Sequence, residues 1–457
     1  MREARKTQPS LRENWLSLEH SRELQTISRL LDEHPTIEEL VLQDLRAAAA
    51  ARRASVGVGG PWGVSAEVTL RALLIKQMNG FSYRELAFHL ADSQTYRTFC
   101  RLGMTDQTPS KSALAASIKA LRAETLEAMH RILVGGAAAK AVEKASKVRV
   151  DCTVVPSDIH QPADSELLWD CVRVLTRLLR RARARLGAEV KFANRTRRAK
   201  RRRREIFHAK GPAGPAQRQM AYRDLLQVTE EVVGWALALR ERIQDRPATD
   251  LVLAKLAEKL DRVLGLTARV MVQTRQRVCE GQSVPASEKI VSIFEEHADI
   301  VRKDSRQTLY GHKICLTSGA SSLILDCVIL EGNPADSTLA KTMIDRQVKI
   351  FARPPRQAVF DGGFTSKENL KALKAKGVED VAFSKAGRLP ITAMVRSTWV
   401  YKRLRDFRAG IEGNISFLKR VFGLGRCTWK SLPSFRSYVW SSILAFNLLV
   451  LARHLMA

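Results

Sequence analysis

The chain has 457 residues, of which 76 are Lys or Arg and 47 are Asp or Glu, a formal net charge of +29. Its 45% hydrophobic content is enough to bury cores in roughly two to four domains, which excludes a disordered tail. Seven cysteines with no C-x-x-C pair exclude a disulfide scaffold and read as reduced, cytosolic thiols.

Residues 1 to 30 alternate charged and apolar positions and lack the basic start and apolar stretch of a secretory signal. In a cytosolic protein, so large a cationic excess points to a polyanionic partner, most often nucleic acid. From Leu11 to about Ala51 apolar residues such as Leu24, Ile27, Leu30 and Leu31 recur at helical spacing, up to a break at Gly57-Val-Gly-Gly-Pro61. Residues 1–60 are therefore expected to form a helical arm with a linker.

Residues 61–146 read as a helical region. Val68 to Met78 ends at Asn79-Gly80, Ser82-Tyr-Arg-Glu85 has the spacing of a capping box opening a helix through Leu90, and Ser110 caps a third helix carrying Leu114, Ile118 and Leu121. Three short helices with Lys111 and Lys119 exposed on the last suit a helix-turn-helix-like unit entering a major groove. A plain helical bundle has the same pattern.

The period then changes. Val148 to Val155 alternates and is β-branched, a strand that Pro156 ends. Residues 165–283 return to helical patterning as an insert, and between Arg173 and Lys210 sixteen cations face only Glu189 and Glu205. The run Arg201, Arg202, Arg203, Arg204 is expected to touch phosphate, the alternative being a solvated face. Strands resume at Gly311–Thr317 and Leu323–Leu330, joined by Ser318–Ser322. A helix follows from about Ser337 to Lys349, then a strand Gln357–Asp361 closed by Gly362-Gly363, a helix Ser366–Lys376 and a strand near Val378–Phe383. That order predicts an α/β fold with a ribonuclease H-like mixed sheet, spanning 147–164 and 284–432 and interrupted by the helical insert, behind an all-α N-terminal region. The last segment, 433–457, is read as a buried helix: Ser437–Ala452 is apolar but short for a bilayer and contains Asn447.

Metal-assisted phosphodiester chemistry needs carboxylates drawn together from separate elements, because hard cations take oxygen ligands. Asp151 lies inside the first strand, where an unpaired carboxylate is costly to bury. Asp361 ends a later parallel strand, where α/β sheets place ligands, though an Asp before two glycines is also a common turn former. Arg408, Glu412 and Lys419 fall within roughly 40° of one another on a helix at about 100° per residue, a pattern a salt-bridged surface helix would share.

These residues carry a resemblance. Asp151-Cys-Thr-Val-Val-Pro-Ser-Asp-Ile-His160, Tyr310-Gly-His-Lys313, Phe360-Asp-Gly-Gly-Phe364 and the Arg408-x3-Glu412-x6-Lys419 helix resemble the DDE transposases of bacterial insertion sequences, over roughly 65 to 165 and 285 to 450. One branch of that family has a tyrosine three residues before the arginine, where this chain has Arg405. The resemblance implies Asp151, Asp361 and Glu412 as catalytic residues holding two Mg²⁺ ions, which Mn²⁺ can replace, with Arg408 and Lys419 on DNA. It also implies double-stranded DNA as partner, a dimer or larger assembly on it, a cytoplasmic location and no membrane. Of the neighbouring groups, His160 reads as scaffold, and Asp158 and Asp164 as candidate supports of the triad. The rival readings are a ribonuclease H-like nuclease that does not join strands and a catalytically silent DNA-binding regulator.

Overall fold

The computed structural model describes residues 18–56, 63–103, 105–244, 250–303, 307–385, 387 and 389–457. The Gly57–Pro61 linker and the start of the arm before Leu18 lie outside them. The chain forms two compact units, one made of residues up to Asp158 together with His312–Ala457 and the other of Ile159–Gly311. Each has its own apolar core.

The first unit begins with helices Glu19–Asp32 and Pro35–Val56, followed by Ala66–Asn79, Tyr83–Asp92, Gln94–Phe99, Lys111–Ile118 and Ala123–Ala139. Short polar side chains decide where they start. Ser65 and Ser110 cap backbone N–H groups of Val68 and Ala113, and Ser82 and Glu85 form the reciprocal capping box that their spacing predicts. Gly80, at φ 65°, ends Ala66–Asn79 in the left-handed conformation that glycine adopts without strain. Two features were not legible in the pattern: the short helix Gln94–Phe99, and the end of the Ser110-capped helix at Ile118, ahead of Leu121.

Among the described residues six strands make one mixed sheet: β1 (Lys147–Pro156), β2 (Asp299–Lys303), β3 (Gln307–Ser318), β4 (Ile324–Ile329), β5 (Gln357–Phe360) and β6 (Asp380–Phe383). Their order is β2-β3-β1-β5-β6, with β4 also on β3. β3 and β4 are antiparallel, whereas β5 is parallel to both β1 and β6. The expected mixed sheet is therefore present, with an additional strand: β2 pairs antiparallel with Gln307–Gly311, and all of that pairing belongs to the second unit. Its residues, Asp299-Ile-Val-Arg-Lys303, are too short and too charged to stand out in the hydrophobic pattern.

Two helices of the first unit fix the sheet's surroundings. Leu432–Met456 is long and apolar enough to cross a membrane, but its residues from Ser437 to Leu449 are all buried among the other elements of the unit. Asn447 explains how a polar group sits there: its amide donates to the Ile324 carbonyl and accepts from the Ile324 N–H, completing the backbone of β4. The helix Thr398–Arg420, capped by Ser397, packs over β1, β5 and β6 and buries Val400, Tyr401, Leu404, Ile411, Asn414 and Leu418. Its register is set by a buried cation. Arg149 on β1 donates from Nη1 to the Phe407 carbonyl at 2.9 Å, from Nη2 to Ser322 at 3.1 Å and from Nε to Ser318 at 3.3 Å, while Asn414 donates to Ser318 and to the Ser322 carbonyl. Gly410 makes that approach possible, since a Cβ there would lie 1.8 Å from Arg149 Nη1.

The second unit contains helices Asp164–Leu186, Thr196–His208, Gly214–Gln244 and Leu251–Thr274 around a core of Leu, Val and Ile residues.

Two glycines three residues apart on Thr398–Arg420 give a paired prediction. Nothing stands within 4 Å of a Cβ at Gly413, so Gly413→Ala is expected to stabilise by about 0.5–1 kcal/mol through helix propensity. Gly410→Ala must expel a buried guanidinium from its acceptors and is expected to destabilise by about 1–3 kcal/mol. Urea midpoints of the two variants against wild type check both signs.

Candidate active site

The parallel register of β1 and β5 pairs Val150 with Phe360, so Asp151, midway along β1, and Asp361, just past the end of β5, follow side by side. The β5–β6 register brings Ser384 alongside in the same way, and its hydroxyl donates to Asp361 Oδ1 at 2.9 Å. Gly362 and Gly363 are small because the turn is crowded: a Cβ on the first would lie 3.1 Å from Lys385 Cβ, and on the second 2.8 Å from Asp336 Oδ2. Asp336 is itself held by Lys313 Nζ at 2.5 Å, which ties the Tyr310–Lys313 motif to this turn.

The third acid arrives on Thr398–Arg420. Arg408 lies between it and the two aspartates: Nη1 is 2.8 Å from Glu412 Oε1, and Nη2 is 2.9 Å from Asp361 Oδ1 and 3.5 Å from Asp151 Oδ2. One guanidinium thus collects all three carboxylates that the sequence singles out. In this state Arg408 is an internal counter-ion, so the expectation of a DNA contact applies to it only once these pairs are exchanged. Lys419 is half-buried further along the same helix.

The three acids differ in environment. Burial pushes the Asp151 carboxyl up to about 6, with Asp361 and Glu412 adding like charge and with Arg408 and the Cys152 N–H only partly offsetting it. At Asp361 burial acts in the same sense but is outweighed by the Gly362 N–H, Ser384, Arg408 and Lys385, which hold it below its usual range. Glu412 is the most open, 60% exposed against 14% for Asp151.

An all-carboxylate donor set suits hard divalent cations, and three carboxylates here share a single guanidinium. As the side chains stand, no three acids, histidines or cysteines among the described residues are close enough together to hold an ion, and Arg408 occupies the centre of the acidic cluster. By donor chemistry the residues that would hold one are Asp151, Asp361 and Glu412.

The remaining candidates are placed elsewhere. Asp158 pairs with Arg426 at 2.8 Å. His160 lies 3.5 Å from Asp170, and Asp164 is buried against Gln273 and Arg277, so within the second unit both serve its packing. Lys111 and Lys119 are exposed at the two ends of Lys111–Ile118. In the Arg201–Arg204 run, Arg202 pairs with Asp224 and Glu205, and Arg203 with Glu166, while Arg204 is exposed and Arg201, also exposed, reaches Glu205 only at 3.9 Å. Acids from beyond the tract, Glu166, Asp224, Glu231 and Asp250, neutralise part of an excess that a local count attributes wholly to solvent or DNA. Arg149, Ser384 and Asn414 escaped the sequence reading. Arg149, two residues before Asp151 on a strand, shares its face and was the one with a usable signal.

Asp151 gives a pH prediction in metal-free protein. Its carboxyl binds a proton more readily folded than unfolded, so it disfavours folding fully above about pH 6, and this penalty disappears as pH falls towards 4. Asp151→Asn is therefore expected to stabilise at pH 7 by up to about 3 kcal/mol, with the advantage closing by pH 4. Thermal melts of both proteins in EDTA across pH 4–8 measure the gap.

Residues 277–448 match the transposase DDE domain family, and residues 12–119 match a second transposase domain family of otherwise undefined function. No curated protein and no solved structure shows significant similarity to the chain. The first match spans β2 to β6 together with Asp361, Arg408, Glu412 and Lys419, and the second spans Lys111 and Lys119. With a mixed α/β sheet of ribonuclease H-like order behind a helical N-terminal region, the chain carries a transposase DDE domain and a second transposase domain, consistent with a DDE transposase of an insertion sequence.

Proposed function

We propose that this transposase binds the ends of its own insertion sequence, cuts them and transfers the resulting 3′-hydroxyls to target DNA, with Asp151, Asp361 and Glu412 as the catalytic acids. The observation that carries the reading is the convergence of these three acids, from two strands and a helix, on the single guanidinium of Arg408. Two Mg²⁺ ions, or Mn²⁺ in their place, supply charge stabilisation at the attacking and leaving oxygens of the phosphodiester when bound. Asp151 and Asp361 provide the fixed part of the cradle because strand register holds them. Glu412 is the adjustable part, being exposed and on a helix. With ions held by the three acids, Arg408 would have scissile-strand phosphate as its acceptor, with Lys419 further along the same face of the helix.

The exposed lysines Lys111 and Lys119 suit phosphate contact at the ends of a short helix in a helix-turn-helix-like region. Because transposition must hold two ends at once, the working form is a dimer or larger assembly on double-stranded DNA, in the bacterial cytoplasm and nucleoid.

Asp151→Asn, Asp361→Asn and Glu412→Gln each remove a ligand charge with little change in volume. Each is expected to abolish Mg²⁺-dependent cleavage while leaving duplex affinity within a few-fold of wild type, read by cleavage and gel-shift assays on one preparation. A folded variant that still cuts at near wild-type rate removes that residue from the triad. Cleavage without strand transfer by the wild-type protein would favour the nuclease reading, and binding with no cleavage at all the silent regulator.

The insert makes a separate prediction. Arg202 and Arg203 are engaged within their own unit, whereas Arg201, 66% exposed and only loosely paired with Glu205 at 3.9 Å, and the exposed Arg204 are better placed for phosphate. Arg201→Ala with Arg204→Ala should flatten the log–log salt dependence of DNA binding by up to about two, weakening all sequences alike. Arg202→Ala with Arg203→Ala should instead lower the melting temperature. An unchanged slope in the first pair would make the tract a solvated face.

A further inference from the structure

One cluster in the first unit has hydrogen-bond donors without acceptors. Lys76, on Ala66–Asn79, is only 6% exposed. Its ammonium lies 5.2 Å from the centre of the Tyr83 ring and 5.9 Å from that of Trp429, and no hydrogen-bond acceptor for it stands among the described residues. The Tyr83 hydroxyl and the Trp429 indole N–H are also buried and unpartnered. Lys119 approaches the same tyrosine, its Nζ 5.8 Å from the ring centre. Glu85 is the carboxylate that acts on Lys76, but its Oε2 already accepts the Ser82 N–H in the capping box at 2.7 Å.

Buried donors are expensive to leave unsatisfied, and native proteins rarely leave several in one place. The aromatic faces attract the ammonium and hold it in position, yet they leave its three protons free to donate. Unsatisfied donors grouped in this way, one of them cationic, call for a ligand made of acceptors with negative charge, which describes a phosphate group.

We propose that Lys76, Tyr83 and Trp429, with Lys119 at the entrance, form a binding site for a backbone phosphate of DNA. This rests on the DNA-binding reading above and deepens it by naming a contact. Lys76, Tyr83 and Lys119 fall within the residues matched to the second transposase domain, and Trp429 within those matched to the DDE domain. Trp429 follows the helix that carries Glu412, in a segment tied to the end of β1 by the Cys427 N–H to the Pro156 carbonyl at 2.7 Å and by Arg426 to Asp158 at 2.8 Å. A phosphate held there registers the duplex against both strand and helix of the acidic site.

The proton affinity of Lys76 gives the site a signature. Burial pulls the amine down to about 8, with Cys427 and Glu85 acting the other way, and a bound anion pushes it back up. Tyr83 and Trp429 face it as rings, Lys119 lies across Tyr83, and His89 reaches it only by way of Glu85. DNA binding then takes up a proton near pH 8, so affinity falls as pH rises through that value. Exposed lysines, with their ordinary values above 10, do not titrate there.

The test uses the full chain in EDTA and a labelled duplex, followed by fluorescence anisotropy over a salt series at pH 7 and pH 9. Wild type is expected to lose about tenfold in affinity between the two pH values. Lys76→Met, which replaces a buried charge with an apolar side chain of similar length, should abolish that loss and lower the salt slope by about one. Trp429→Phe keeps a ring but removes the N–H, and should weaken binding at every salt concentration without changing the slope. An equal slope and equal pH dependence in wild type and Lys76→Met would overturn the proposal; if Lys76→Met does not fold, so would a wild type whose affinity is flat from pH 7 to 9. Inorganic phosphate against chloride at matched ionic strength is the second arm. Thermal protection of wild type but not of the variants supports a phosphate site even if the duplex does not bind, which would overturn the DNA reading alone. Protection by neither phosphate nor DNA overturns the site.

Discussion

The register of two parallel strands governs the candidate site. Pairing Val150 with Phe360 leaves Asp151 and Asp361 as the next residues on adjacent strands, and two carboxylates so placed repel one another unless a positive centre stands between them. A slip of one residue would move each acid to the opposite face of the sheet, so the hydrophobic alternation of β1 and β5 that fixes the core also fixes the chemistry. In this state the positive centre is Arg408, and its three ion pairs explain how an acidic cluster persists in the fold without unfolding it.

Arg408 can reach the aspartates only if its helix lies at one height over the sheet. Arg149 determines that height. It sits two residues before Asp151 on the same face of β1, inserts where Gly410 has no side chain, and holds the Phe407 carbonyl one residue ahead of Arg408. Asn414 fastens the next turn to the β3–β4 connection through Ser318 and Ser322. Cations therefore act at both ends of one short interval, Arg149 as a buried brace and Arg408 as the partner of the acids. The same brace passes the position of Glu412 to β1, so that an exposed glutamate is held near two strand-borne aspartates.

The strand pattern, the capping serines and the shared helical face of Arg408 and Glu412 were legible in the sequence because each depends on local spacing, whereas the grouping of Glu412 with Asp151 and Asp361 came from the family resemblance. Structure that depends on pairing across the chain was not. β2 is a short, charged strand whose identity comes from its partner Gln307–Gly311, and no periodicity within Asp299–Lys303 announces it. Ser384 reaches Asp361 through the β5–β6 register, and Asn447 looked like a blemish in an apolar helix until Ile324 supplied both of its partners. Gly410 is visible as a glycine in a helix, but its reason is a guanidinium that lies 261 positions earlier, at Arg149.

Charge shows the same division. Sixteen cations against two acids in Arg173–Lys210 reads as a phosphate-seeking tract, yet the helices that follow return Asp224 to Arg198 and Arg202, and Glu231 to Arg195. Half-exposed pairs of this sort contribute little to stability one by one, but each ties up a side chain that would otherwise be counted as a DNA contact. The cations most available to a polyanion are those whose neighbours offer no acid. By that measure Arg204, with an exposed side chain, and Lys76, whose one acidic neighbour Glu85 is already engaged in a helix cap, are of one kind despite their opposite burial, and they differ in what a phosphate would meet. At Arg204 it would meet a screened point charge in water. At Lys76 it would meet a desolvated ammonium already oriented by Tyr83 and Trp429, where a single contact carries more of the positioning than several on the surface.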